Sequence, residues 1–111
     1  MVTLVATARH GRSDVIEIHG DEGTVRLDGD RRISYADHHA AVARVAAYLA
    51  EQGVQKGDRV AIVGKNSIEW VVTFWATVSI GAIAVGLNVW WSADEVGYAV
   101  GNCTPKLVIV A

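Results

Sequence analysis

The apolar positions after residue 34 first repeat with the period of a helix. Val42, Val45, Ala46 and Leu49 follow the i, i+3, i+4, i+7 spacing that places side chains on one helical face. Ser34 precedes this run and is a preferred residue for capping a helix N-terminus. We therefore predict an amphipathic helix that begins after Ser34 and ends at the glycine in position 53.

Three short runs beyond this helix are apolar without polar alternation, at 59–63, 82–86 and 107–110. Such runs are typical of strands buried on both faces of a parallel sheet. Two further helices are predicted between them. The first is apolar nearly all round, which predicts that it lies between layers. Alternating strands and helices predict an α/β fold, a partial doubly wound parallel sheet.

The boundaries of these two helices can be read from capping residues. Asn66 or Ser67 is the expected N-cap of the first, which runs to about residue 80. Ser92 and Glu95 form an S-x-x-E capping box at the start of the second. We expect the second helix to end at Gly101-Asn102, since a helix cannot continue through the proline at 105.

Residues 14–34 predict a small polar β region ahead of the first helix. Short strand-like runs occupy 15–18, 24–27 and 31–34, and Asp28-Gly29-Asp30 between the last two is a hairpin signal. Residues 1–8 are interpreted as the remains of an amphipathic helix, because their apolar run is too short for a signal peptide. The predicted organisation is a hairpin region at 1–34 followed by a sheet segment at 35–111.

Composition limits the function classes. The 111 residues are 51% apolar and suffice for one small domain or part of a larger one. This excludes intrinsic disorder, and the net charge of −2 provides no electrostatic basis for binding nucleic acid. Cys103 is the only cysteine, which excludes an intrachain disulfide and a cysteine-based zinc site and fits a cytoplasmic location.

An uncharged run of residues, 70–93, is long enough to span a bilayer, with tryptophans at both ends. Insertion into a membrane through 70–87 is therefore one alternative. The favoured interpretation is a buried helix followed by a buried strand, because Gly81 divides the run where a helix would end. Charges of mixed sign flank the run, so no positive-inside signal sets an orientation.

Several other side chains are candidates for chemistry. Gly64-Lys65-Asn66-Ser67 lies between a strand and a helix but lacks the glycine and hydroxyl spacing of a phosphate-binding loop. His38 and His39 are neighbours on a helix and point about 100° apart, so they cannot share one metal ion. No serine lies in a nucleophile-elbow pattern. For Cys103 a small buried apolar role is favoured over a reactive thiol.

Asn88, Trp90 and Trp91 are the candidate ligand-contacting residues. They follow a predicted strand of the parallel sheet, at its carboxyl end, where ligands of such sheets bind. The alternative, which we favour for each tryptophan, is packing, with one ring in the core and the other covering it.

Three stretches together resemble the N-terminal part of the adenylate-forming superfamily, the acyl-CoA synthetases and their relatives. Asp28 to Asp37 resembles the family's hairpin and "(S/T)-Y-x-E/D" helix start. Gly57 to Ile62 with Asn66 to Trp70 resembles "GDRVAI…NS-x-E-W". Ser79 to Asn88 resembles "K-x-G-A-x-x-V-P-L-N". The resemblance covers about residues 28–111.

The chain departs from the family pattern at a few positions, which leaves the substrate class open. Gly86 stands where the family usually has proline, and Ser79 where lysine is common. His38 replaces a usual leucine, and Trp90-Trp91 replaces a turn that typically contains proline.

The resemblance implies a parent acyl-CoA ligase that uses ATP, Mg²⁺ and coenzyme A to convert a carboxylic acid, expected to be a fatty acid, into its acyl-adenylate and then its thioester. The family's phosphate loop, adenine- and ribose-binding segments and catalytic lysine have no counterpart in this sequence. We therefore expect a fragment that serves as scaffold, without catalytic or metal-binding residues and inactive alone. Asn88, Trp90 and Trp91 are expected near the path of coenzyme A.

The resemblance also predicts that the last strand leaves a sheet edge uncovered, to be closed by the remainder of the ligase, a partner chain or a second copy. Two alternatives stay open besides the scaffold. One is a stand-alone α/β module that binds a small ligand or partner near residues 88–91. The other is the membrane-inserted protein.

Overall fold

The computed structural model describes the strand backbones at 4–7, 15–18 and 24–27 and the whole of residues 31–111. The chain forms an antiparallel sheet followed by alternating strands and helices. The elements are β1 (Leu4–Thr7), β2 (Val15–Ile18), β3 (Thr24–Leu27), β4 (Arg31–Ser34), α1 (Tyr35–Glu51), β5 (Arg59–Val63), α2 (Ile68–Ser79), β6 (Ile83–Leu87), α3 (Ala93–Cys103) and β7 (Leu107–Val110).

The first four strands form an antiparallel sheet in the order β1-β2-β3-β4. The predicted hairpin is confirmed, because β3 and β4 pair antiparallel, with Leu27 opposite Arg31. The predicted turn residues, Asp28 to Asp30, lie outside the described residues. The helix expected in residues 1–8 is wrong over Leu4–Thr7, which pair as a strand with β2. A run this short is unfavourable as a helix, because too few helical hydrogen bonds follow the costly nucleation step. Pairing as a strand gives its backbone groups hydrogen-bond partners.

The other three strands form the predicted parallel sheet, in the order β6-β5-β7. Val60 of the central strand pairs with Ala84 on one side and Leu107 on the other. Because side chains alternate across a strand, these residues share one face, and it packs against α1 and α2. Val85 and Leu87 project from the opposite face, towards α3. Helices therefore cover both faces, which confirms the doubly wound arrangement.

Two glycines with positive φ align the starts of β5 and β6. Gly57 (φ +85°) donates its N–H to the carbonyl of Gly81 (φ +78°) at 2.9 Å. One residue further on, the Asp58 carbonyl accepts the N–H of Ile83 at 2.7 Å, and the Asp58 carboxylate accepts the N–H of Gln55. The Gly-Asp pair thus sets the register of the first two parallel strands.

Arg59, the next residue, holds the end of α3. Its guanidinium donates to the carbonyls of Cys103 and Thr104 and to Thr104 Oγ1. A cation at this position satisfies carbonyls that a helix C-terminus leaves without partners and complements the helix dipole. The expected end at Gly101-Asn102 is wrong. The helix continues to Cys103 and is capped by Thr104 in the left-handed conformation (φ 45°), directly before the proline.

Each helix of the described residues is capped by serine at its N-terminus, and for α2 the cap is Ser67, one of the two residues predicted for it. Ser34 and Ser67 accept the backbone N–H groups of Asp37 and Trp70, each at 3.1 Å. Ser92 forms the full capping box with Glu95.

The centre of the sheet and the helix α2 are the most buried parts of the described chain. Thr73 and Thr77 of α2 are buried, and their hydroxyls donate to carbonyls one turn back, both at 2.7 Å. The uncharged run at 70–93 is divided among α2, β6 and the turns beside them. Among the described residues, no helix has both the length and the apolar character needed to cross a membrane.

An ion pair ties the antiparallel sheet to α2. Arg31 on β4 donates two hydrogen bonds to the Glu69 carboxylate, at 2.6 and 3.3 Å. The hydrogen bond from Arg31 lowers the pKa of Glu69. Both side chains are more than half exposed, so the pair contributes orientation more than stability.

The core prediction can be tested at Leu49, which is fully buried in α1 among Val54, Val60 and Ala76. Leu49→Ala should lower the free energy of unfolding by about 2–5 kcal/mol, because it removes buried apolar atoms and leaves a cavity in their place. Tyr98→Ala on α3 is the control, since Tyr98 is 77% exposed and its loss should cost about 0.5 kcal/mol or less. Urea denaturation followed by circular dichroism measures both, and similar losses in the two variants would contradict this core.

His38 on α1 generates a prediction about pH. Its Nε2 atom is buried with no hydrogen-bond partner among the described residues, and burial, then the charge of His39, lowers the pKa of His38. Near and below the ordinary pKa of 6.5, the imidazole of His38 is protonated more readily in the unfolded chain than in the native one. The free energy of unfolding should therefore decrease as the pH falls from 8 to 5, by at most about 1.4 kcal/mol per pH unit from this group.

Urea denaturation at several pH values measures this dependence. His38→Leu should flatten it, whereas His39→Gln, at the exposed neighbouring position, should retain most of it. An unchanged slope in His38→Leu would show that His38 does not cause the effect.

Candidate functional site

The loops that follow β5 and β6 meet beyond the carboxyl ends of these two parallel strands. The loop after β5 leads into α2 on one face, and the loop after β6 leads into α3 on the other. Ligands of open α/β sheets bind outside the carboxyl ends of the strands. We call this region, made of residues 64–67 and 88–92, the carboxyl-edge crevice.

Asn88 organises the loop after β6. Its side-chain oxygen Oδ1 accepts the N–H of Trp90 at 2.9 Å, and its carbonyl accepts the N–H of Trp91 at 3.1 Å. This is an Asx turn closed by a second backbone bond, which turns the chain sharply after the strand. Asn88 itself is exposed. Its two hydrogen bonds fix the backbone positions of Trp90 and Trp91.

Trp90 and Trp91 belong to the same turn but lie in different surroundings. The Trp90 ring is 71% exposed and lies under the Lys65 ammonium, with Nζ 5.8 Å from the ring centroid. This cation–π contact joins the two loops of the crevice. Trp91 is 39% exposed and lines a groove beside α3. The expectation that one ring packs in the core is wrong, because the turn directs both towards the surface.

Lys65 lies in the crevice but is not among the candidate residues predicted from the sequence. From the sequence it belongs only to Gly64-Lys65-Asn66-Ser67, a run without the spacing of a phosphate-binding loop. Its position does indicate a site, because Lys65 is the second residue after β5, Asn88 is the first after β6, and parallel strands end at the same edge.

The other residues of that loop have structural roles. Ser67 uses its hydroxyl to cap α2. A Cβ atom on Gly64 would lie 2.5 Å from the carbonyl oxygen of Ala111, so glycine is required for the close approach of the chain beyond β7. Neither residue presents the cradle of backbone donors that a phosphate loop needs.

The groove beside α3 has a volume of about 600 Å³ and an apolar lining. It lies between the outer part of β6 and one side of α3. Its lining residues are Val85, Gly86, Leu87, Trp91, Asp94, Glu95, Tyr98, Ala99, Asn102 and Cys103. Two acidic residues at the start of α3 are the only charged groups in this lining.

The remaining candidates for chemistry do not form a catalytic or metal site in the part of the chain that the structure describes. No group of three or more His, Cys, Asp or Glu side chains there is arranged to hold a metal ion. His10 and His19 lie outside the described residues. Cys103 is half-buried, and it belongs to the groove lining instead of the core.

The crevice therefore suits binding more than catalysis. An exposed indole ring offers a flat face for stacking, and the lysine beside it offers a positive charge for an anion. Lys65, Asn88 and Trp90 include no activated nucleophile with an adjacent base, which covalent catalysis requires. Such a combination fits a ligand that has a flat ring and a negative charge.

Comparison with known proteins relates the whole sheet segment to one family. Residues 7–111 match the sequence model of the family described as AMP-binding enzyme. The long-chain-fatty-acid–CoA ligase FadD13 of Mycobacterium tuberculosis is 38% identical over 80 residues, which are 72% of this chain and 16% of FadD13. The 4-hydroxybenzoate–CoA/benzoate–CoA ligase of Rhodopseudomonas palustris is 32% identical over 85 residues, 77% of this chain and 16% of the ligase.

Solved structures give the same result. Anthranilate CoA ligase AuaEII in complex with anthranoyl-AMP superimposes with a TM-score of 0.71 at 32% identity, over 73% of this chain and 16% of that one. The N-terminal domain of FACL13 from Mycobacterium tuberculosis gives 0.70 at 37% identity, over 73% and 20%. The chain thus spans about a sixth of the length of the curated relatives it matches. It corresponds to their N-terminal part, and with its motifs, sheet topology and sequence in agreement, the chain belongs to the family of AMP-binding enzymes.

Proposed function

We propose that this chain is the N-terminal sheet segment of an ATP-dependent acyl-CoA ligase. The observation that carries the proposal is the family match over residues 7–111. The proposed parent reaction has two steps. A carboxylate oxygen of the substrate attacks the α-phosphorus of ATP, and pyrophosphate leaves. The thiol of coenzyme A then attacks the acyl carbon of the acyl-adenylate, loses its proton, and AMP leaves.

The proposed role of this segment is to support the reaction and not to perform it. The family-like residues Gly57, Asp58 and Arg59 are occupied with aligning strands and holding α3. A ligase must neutralise phosphate charge and position both reactants. The proposed groups for that work, with Mg²⁺, belong to the remainder of the enzyme, and its proposed substrate is a fatty acid in the cytoplasm.

The open side of the sheet supports the presence of that remainder. Within the described residues β7 pairs with β5 alone, so its other edge has no strand. Val108 and Val110 on β7 are 42% and 80% exposed. Unpaired apolar edges promote association, so we propose that further sheet from the same ligase, or a partner chain, covers them.

The proposed site in this segment is the carboxyl-edge crevice, with Asn88, Trp90 and Trp91 near coenzyme A. The stacking surface of Trp90 and the charge of Lys65 suit an adenine ring and phosphate groups. A second candidate, a stand-alone module that binds a small ligand, is favoured by the groove of about 600 Å³ that Trp91 lines.

The scaffold role predicts that the 111-residue chain alone catalyses no ATP–pyrophosphate exchange with any member of a panel of carboxylic acids. A protein that contains this segment within a full-length ligase should catalyse the exchange, with a preference for fatty acids. Exchange by the chain alone would contradict the scaffold role. The mass of the native protein, detected with an antibody against this segment, establishes which form the source cells contain.

The crevice predicts a specific defect in the full-length ligase. Trp90→Ala should raise the KM for coenzyme A about tenfold, since stacking of a base on an aromatic ring contributes about 1–3 kcal/mol. Adenylation, followed by ATP–pyrophosphate exchange, should be unchanged. Trp75→Ala is the matched control, because Trp75 is a half-exposed tryptophan on α2 outside the crevice. Equal effects of both substitutions on coenzyme A would reject the crevice as its site.

A further inference from the structure

The short turn between β6 and α3 is held in place at both of its ends. Leu87, the last residue of β6, is buried and pairs with Val63 of β5. Ser92 begins α3 and forms reciprocal hydrogen bonds with Glu95. The residues between these ends, 88–91, include no proline that would fix the backbone angles. The course of the chain through the turn therefore depends on hydrogen bonds made within it.

Asn88 makes the side-chain hydrogen bond of this turn. Its Oδ1 atom accepts the N–H of Trp90 at 2.9 Å, and its carbonyl accepts the N–H of Trp91 at 3.1 Å. Asparagine is favoured at such a position because its side-chain oxygen imitates the carbonyl of a backbone turn. Asn88 directly follows the buried end of β6, so the two bonds relate the backbone of Trp90 to the sheet.

The position of the Trp90 ring depends on this backbone more than on packing. The ring is largely exposed, so few neighbouring atoms hold it in place. It lies under the ammonium of Lys65, with Nζ 5.8 Å from the ring centroid. A change in the turn after β6 would move the ring relative to this ammonium, because the two residues belong to different loops.

The loop that presents Lys65 is restrained by the sheet itself. Val63 ends β5, and its carbonyl accepts the N–H of Ala111 at 2.8 Å. The backbone of Ala111 lies so close to Gly64 that a Cβ atom there would come within 2.5 Å of the Ala111 carbonyl oxygen. Lys65 therefore leaves the sheet from a fixed point. Of the two partners in the cation–π contact, Trp90 is the one whose position depends on a side-chain hydrogen bond.

We propose that Asn88 is a positioning residue for coenzyme A, which acts through Trp90 and does not itself contact the ligand. This inference rests on the proposed function, in which Trp90 stacks on the adenine ring and Lys65 attracts phosphate. Oδ1 of Asn88 is engaged with the N–H of Trp90. A ring that is already in place does not have to be ordered when the ligand binds, and this lowers the cost of binding.

Steady-state kinetics of the full-length ligase, with coenzyme A varied at saturating ATP and fatty acid, tests the proposal. Asn88→Ala should raise the KM for coenzyme A about fivefold and change kcat little, because one hydrogen bond is lost. Asn88→Ser keeps an oxygen that closes the same turn more weakly, so it should raise this KM only about twofold. Gln52→Ala, at an exposed amide beside the end of α1, is the control. An unchanged KM in Asn88→Ala would overturn the proposal.

A double substitution distinguishes action through the ring from direct contact. If Asn88 acts through Trp90, adding Asn88→Ala to Trp90→Ala should not raise the KM for coenzyme A any further. Effects that multiply would show that Asn88 contacts the ligand itself, and would overturn the proposal. Pantetheine has the thiol of coenzyme A without its nucleotide, so its KM should be the same in Asn88→Ala and the unaltered ligase. A rise for pantetheine would also contradict the positioning role.

A structural measurement separates this inference from the proposed function. In NMR spectra of the 111-residue chain, the ring current of Trp90 should shift the ε-methylene protons of Lys65 upfield. Asn88→Ala should remove this shift, and Asn88→Ser should keep most of it. A shift that persists in Asn88→Ala would refute the positioning role alone. An unchanged KM for coenzyme A in Trp90→Ala would instead refute the proposed site, and with it any role of Asn88 in binding coenzyme A.

Discussion

The complete burial of β5 is the constraint on which the rest of this structure depends. Val60, Ala61 and Ile62 are inaccessible to solvent, although they project to alternate faces of the sheet. A strand with this composition is stable only if both faces are covered and both edges are paired. The chain meets this requirement with α1 and α2 on one face, α3 on the other, and a parallel neighbour on each side.

The carboxyl-edge crevice is a consequence of the same constraint. Once β5 must be covered on both sides, the loops after β5 and β6 have to leave in opposite directions. The gap between them receives Lys65 from one loop and Trp90 from the other. The contact between the lysine and the tryptophan is therefore a product of topology, because the two residues are distant in the chain.

The structure is predictable from the sequence where a local pattern and the tertiary structure impose the same requirement. The serine caps, the positive φ at Gly53 and the apolar face that ends in Leu49 are examples. It is not predictable where a residue distant in the chain determines the local conformation. The helix end at Thr104 depends on Arg59, and the strand at Leu4 depends on pairing with Ile18. For the site, Asn88 was predictable from its place after a strand, but the contact of Lys65 with Trp90 requires the register of two strands.

The reach of Arg59 to Cys103, 44 residues along the chain, has a consequence for how the protein folds. Parallel pairing requires long loops to close before any strand contact forms, so it is slow compared with local structure. The antiparallel meander and the separate helices can form early, whereas β7 can join only after α3 has ended at the right residue. During synthesis on a ribosome β5 emerges well before β7, so its apolar surface is exposed for a time. A chaperone that binds apolar segments would act in that interval.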